Sequence, residues 1–165
     1  MAMTNDRRIT FGESGEHLVV SRFYAHGLIA GQLPRGTKAD DLYVELEDRA
    51  IRIQVKTSVG SLRWLTGTVV ASEDRYFALV RYGSLKSADL IAGQVYLVPS
   101  PVVERALKLH GEVYDEAHPN QLGKGVPSIQ GSWLMREAMA ENGFGSGWLE
   151  KFLEPWEQFL DGSLI

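Results

Sequence analysis

Between residues 42 and 56 apolar and polar side chains alternate. Leu42, Val44 and Leu46 form one apolar series and Ile51, Ile53 and Val55 a second, with Tyr43, Glu45, Arg52, Gln54 and Lys56 between them. A period of two is the mark of a strand that buries one face. The pattern predicts strands over 42–47 and 50–56, joined by a short turn at Asp48 and Arg49. Folded as a hairpin with Glu47 opposite Ala50, they place Asp41 opposite Lys56 and one step from Gln54. Three polar groups then share one patch. A slip of one residue would separate them, because every side chain would change face.

Elsewhere the period changes. Val19, Val20 and Phe23 recur at helical spacing and predict a helix over 12–27, with Thr10 and Glu13 as a capping box and Gly27 as the stop. Gly31, Pro34 and Gly36 mark 28–39 as a loop. Strands are expected over 65–71, 76–82 and 95–98, then a helix over 102–109 opened by Pro101. Residues 111–131 read as loop, and helical pattern resumes over 132–141 and 147–160, interrupted at 142–145 and at Pro155. This order predicts an α/β protein with a mixed central sheet flanked by helices. It forms a single domain over 1–165, with its core over about 10–110 and a helical C-terminal extension over about 111–165.

Composition narrows the chemistry. The chain has 165 residues, 44% of them hydrophobic, enough for one core without staples. With no cysteine, disulfides, thiolate zinc sites and thiol nucleophiles are excluded, so any metal must rest on oxygen or imidazole. Residues 1–10 contain Arg7 and Arg8 but no apolar run. The expectation is therefore a cytoplasmic protein with no signal peptide and no membrane partner. The net charge of −4 argues against a chain that coats nucleic acid. Its distribution is uneven: residues 1–82 hold 11 Lys and Arg against 10 Asp and Glu, and residues 83–165 hold 6 against 11. A polyanion would meet the first half.

Hydrolysis of a phosphodiester requires an activated water, a polarised phosphorus and relief of charge on the leaving oxygen. Carboxylates that hold Mg²⁺, with a lysine close by, supply all three. Glu16 falls on the helical stripe with Val19, Val20 and Phe23, so its carboxylate faces inward and needs a partner. Asp41 shares strand parity with Gln54 and Lys56, whereas Asp40 better suits the end of the loop. Glu13 is accounted for by the cap. His17, His26, His110 and His118 lack metal-ligand spacing, and Ser58 has no histidine or acid beside it in the sequence.

Three strings, Gly15-Glu16-His17-Leu18-Val19, Asp41-Leu42-Tyr43-Val44-Glu45 and Ile53-Gln54-Val55-Lys56-Thr57-Ser58, together resemble the signature of the PD-(D/E)XK nuclease superfamily. They are similar in particular to its junction-resolvase and intron-encoded homing endonuclease branches. The resemblance covers residues 12–58, with weaker support to about residue 110. It implies a restriction-endonuclease-like αβββαβ core and metal-dependent endonuclease activity, most readily on DNA. It also implies a site of Glu16, Asp41, Gln54 and Lys56. Mg²⁺, or Mn²⁺ in its place, would rest on Glu16, Asp41, Gln54 and the Val55 carbonyl. Two departures stand out: Pro34 is not adjacent to Asp41, and Gln54 occupies a position more often acidic, which offers the cation a neutral carbonyl in place of a charge.

Arg35, Lys38, Arg52 and Arg63 flank these strings and are candidates for phosphate contact. Trp133, Trp148, Phe152, Trp156 and Phe159 fit either a helical core or the contact surface of a homodimer. The competing reading is an inert descendant of the same fold that binds nucleic acid or a protein partner. Gln54 and the negative net charge favour it.

Overall fold

Val19 and Phe23 are wholly buried, as the stripe requires, on a helix that starts well before Gly12. In the computed structural model, which describes residues 5–34, 40–83, 93–123, 127–131 and 137–164, this helix is α1 (Asn5–Ala25). Thr10 and Glu13 lie inside it, so the capping-box reading is corrected. Gly27, at φ 76°, follows the helix in the left-handed conformation expected of its stop.

The next segment is not all loop. Residues Ile29–Gln32 form β1, an edge strand antiparallel to β2 (Leu42–Glu45). The Tyr43 ring lies across Gly31, where a Cβ would come within 2.7 Å of a ring carbon. Gly31 therefore permits the close strand approach and does not break the chain.

The predicted hairpin forms between β2 and β3 (Ala50–Val59), but in a different register. Glu45, not Glu47, faces Ala50, and Leu42 faces Ile53. The turn is longer than expected: the Leu46 N–H donates to the Arg49 carbonyl at 2.8 Å, leaving four residues to reverse the chain. A shift of two residues preserves parity. Leu42, Val44, Ile51, Ile53 and Val55 are accordingly buried, while Tyr43, Arg52, Gln54 and Lys56 remain partly open.

After β4 (Arg63–Leu65), residues 66–71 form no strand. Next come β5 (Arg75–Tyr82), parallel to β3, β6 (Gln94–Pro99), antiparallel to β5, and α2 (Ser100–Ala117). The main sheet runs β1-β2-β3-β5-β6. The mixed α/β class holds, with one difference in order: the crossover between the parallel strands carries β4, and α2 follows β6. Part of the expected loop 111–131 is the end of α2, and part is β7 (Ser128–Gln130), which pairs with β4.

Past β7, the described C-terminal residues form short helical pieces, among them α3 (Glu137–Met139) and α4 (Trp156–Leu160). It closes the core. Phe159 packs on Phe23 and Tyr76, with ring centroids 5.5 and 5.3 Å apart, and Trp148 donates its Nε1–H to the Gln130 carbonyl. The Glu154 N–H reaches the Val95 carbonyl and so covers the β6 edge. Trp148, Phe152, Trp156 and Phe159 are all buried within the chain itself. Of the two expected roles, these four serve as core; Trp133 lies outside the described residues.

Candidate active site

β2 stops one residue short of Asp41, and the side chain of Asp41 takes over the ladder. The Asp41 N–H donates to the Ile53 carbonyl at 2.9 Å, and the Asp41 Oδ2 accepts the Val55 N–H at 2.7 Å. This places a carboxylate where backbone would otherwise sit. In an extended strand a residue's N–H and C=O point to the same side. The Val55 carbonyl therefore faces the same opening.

α1 brings Glu16 to this point because it can approach β3 closely. A Cβ on Gly15 would lie 2.1 Å from the Thr57 Oγ1, so the contact exists only because residue 15 has no side chain. The next residue, Glu16, is half-buried at the end of the inward stripe and accepts the Gln32 amide at 3.0 Å.

The Asp41 charge reaches Glu16. Burial raises the Glu16 pKa, and the charge of Asp41 raises it further; Glu13 adds to this, while Gln32 and His17 oppose it. Burial also raises the Asp41 pKa, against the Val55 N–H and the nearby Lys56 ammonium, which both lower it. Two carboxylates whose charged forms are disfavoured chiefly by burial, one of them also by its acidic neighbour, form a site where added positive charge is favourable. Lys56 and Gln54 share a face of β3 by alternation, and Gln54 lies near Asp41 once the observed register is extended by one residue.

These acids line an open cleft of about 420 Å³ bounded by Ile9, Gly12, Glu13, Glu16 and His17 of α1, by Gln32–Pro34 and by Asp40 and Asp41. Asp40 has a different task from Asp41. It is buried and bonded by Arg75 at 2.7 and 3.0 Å, with Arg52 3.7 Å away, and so anchors the start of β2. Nothing in the local pattern around Asp40 points to Arg75, which is distant in sequence.

Among the described residues no group of three or more His, Asp or Glu gathers closely enough to hold a metal. A cation here would rest on two carboxylates completed by neutral oxygens and water. Such a set of oxygens would suit a hard cation such as Mg²⁺ or Mn²⁺; the His17 imidazole also lines the cleft.

The flanking basic residues divide. Arg52 Nη2 donates to both carboxylate oxygens of Asp74 at 2.8 Å. Arg63 is exposed, with its Nε donating to the Ser128 Oγ at 3.3 Å. Arg35 and Lys38 lie outside the described residues. Gln32, which sequence reasoning placed in a loop, is the site residue it missed; the only local signal was the short apolar pair Ile29-Ala30 before it.

No family model and no curated protein matches the chain. Among solved structures it is similar to a bacterial homing endonuclease, I-Ssp6803I, at 14% identity and a TM-score of 0.48, over 98% of this chain and 94% of that one. No described helix is long and apolar enough to cross a membrane.

Proposed function

We propose that the protein is a metal-dependent endonuclease of the PD-(D/E)XK type that hydrolyses phosphodiester bonds in DNA. The observation that carries this reading is the meeting of Glu16 and Asp41, from two separate elements, in one cleft with Lys56 close to Asp41. A core protein gains nothing by setting two partly buried carboxylates against each other.

Glu16 and Asp41, with the Gln54 amide oxygen and the Val55 carbonyl, would hold Mg²⁺ or Mn²⁺. The bound ion would polarise the scissile phosphate and lower the pKa of a bound water. Lys56 orients the attacking water or stabilises charge that develops on the phosphate. Asp41, already bonded through Oδ2 to Val55, keeps its orientation without the substrate. Arg63, and Arg35 and Lys38 beside the cleft in sequence, contact backbone phosphates; Arg52 is committed to Asp74 and contributes mainly through its field. A cytoplasmic location is part of the same proposal.

Two features favour the inert reading, the neutral Gln54 in a position more often acidic and the net charge of −4. Calorimetric titration with Mg²⁺ and Mn²⁺ separates the two. The nuclease reading expects binding that Asp41→Asn abolishes, and absence of binding to the wild-type protein supports the inert descendant.

A further inference from the structure

Gln32, the last residue of β1, and Leu33 just beyond it bond Glu16 and Asp41 respectively. The Gln32 side-chain amide donates to the Glu16 Oε2 at 3.0 Å, and the Leu33 N–H donates to the Asp41 carbonyl at 2.8 Å. Gln32 is exposed, and its backbone is held by pairing with Leu42. Its side chain is therefore not needed to build the sheet.

The Glu16 carboxylate sits among charges that push it away. Asp41 faces it from the start of β2, and Glu13 lies one turn back on α1; His17 is the neighbour that attracts it. A glutamate has three freely rotating side-chain bonds and water beside it, so repulsion alone would turn it outward. Against that repulsion the Gln32 amide donates a hydrogen bond to the Glu16 carboxylate, and it comes from the end of β1, beside the Leu33 N–H that holds the Asp41 carbonyl. The amide must present nitrogen here, because its oxygen would oppose a carboxylate oxygen.

We propose that Gln32 is a positioning residue for the cation site: its amide grips one oxygen of Glu16 and leaves the other directed toward an ion shared with Asp41. This rests on the metal-dependent reading above. Fixing one rotamer-rich side chain in advance is worth about two- to tenfold in affinity, so that is the size of effect expected when the donor is removed.

The test uses the full chain and its Gln32→Met variant, which keeps the length of the side chain and loses the donor. Mg²⁺ and Mn²⁺ affinities are measured by calorimetry, thermal unfolding is followed without metal, and the Gln32 side-chain amide resonances are observed by NMR. The expected result is Mg²⁺ binding weakened about two- to tenfold in Gln32→Met, with an unchanged unfolding midpoint. In the wild-type chain the amide resonances should move both on Mg²⁺ addition and on Glu16→Gln. Equal affinity in the wild type and Gln32→Met, or amide resonances indifferent to Glu16→Gln, overturns the role of Gln32 alone. A wild-type chain that binds neither ion overturns the metal reading itself, and this proposal with it.

Discussion

The Asp41 carboxylate accepts the Val55 N–H at 2.7 Å, so the residue best placed to hold a cation also completes the edge of β3. Parity alone would make Asp41 a purely functional side chain whose removal leaves the fold untouched. The hydrogen bond changes that expectation. Asp41→Ala leaves the N–H of buried Val55 without its acceptor and should cost about 1–3 kcal/mol in urea unfolding. Asp41→Asn retains an acceptor oxygen and should lose metal binding with little loss of stability. Equal stability of the alanine and wild-type proteins would deny Asp41 this structural role.

Gly15 lies against Thr57 in the same region. Alanine is the better helix former by about 1 kcal/mol, yet Gly15→Ala should destabilise the protein by about 1–3 kcal/mol, because its Cβ would overlap the Thr57 Oγ1. Thr57→Ala removes that oxygen. Thr57 Oγ1 is buried without a hydrogen-bond partner among the described residues, so the double variant should recover most of the loss. A double-mutant cycle checks this; strictly additive effects would rule out the contact as the cause.

Arg75, itself only partly buried, pairs with the buried Asp40. Arg75→Ala should cost about 3 kcal/mol or more, since it leaves a carboxylate in the interior with only the more distant Arg52 opposite. Replacing both partners, as in Asp40→Asn with Arg75→Met, should cost less than Arg75→Ala alone. Denaturant midpoints of the three chains decide the point.

The pKa values of Glu16 and Asp41 are both raised in the folded chain, chiefly by burial. The folded state thus holds these protons more tightly than the unfolded chain does. Ionisation of the pair destabilises the protein above the folded pKa values, and the penalty disappears as pH falls through them toward the unfolded values. Glu16→Gln should therefore stabilise the metal-free protein more at about pH 8 than at about pH 4. Added Mg²⁺ should offset the same penalty, raising the unfolding midpoint at the higher pH and losing its effect as protons compete for the same oxygens. A Mg²⁺ effect independent of pH would place the ion elsewhere.

Gln54→Glu would give the site a third carboxylate. If Gln54 supplies a carbonyl ligand, the substitution should tighten Mg²⁺ binding severalfold by calorimetry. Unchanged affinity would place Gln54 outside the ion's reach.

What the sequence revealed depended on how far each signal reaches along the chain. Period two from Leu42 to Val55 and the helical stripe of Glu16, Val19 and Phe23 are local and strong, so the faces of β2, β3 and α1 were legible. Register was not, because the alternation is equally satisfied by Glu47 or Glu45 opposite Ala50, and the Leu46 to Arg49 bond that decides between them is a property of the turn. β1 and β7 escaped notice because four- and three-residue strands carry too few positions to alternate, and β1 contains a glycine required by Tyr43. The pairings Arg75 with Asp40 and Gln32 with Glu16 join residues far apart in sequence. No pattern within either segment encodes them.

If the cleft between α1 and β2 hydrolyses DNA, as proposed, cleavage is its immediate readout. Purified protein is incubated with linear duplex, circular single-stranded and branched DNA, each with Mg²⁺, with Mn²⁺ or with chelator, beside the Lys56→Ala and Asp41→Asn variants. The account predicts nicked or shortened product from at least one substrate with either ion, none with chelator, and none from either variant. Cleavage that persists at the wild-type rate in Lys56→Ala, or that survives chelation, would contradict it.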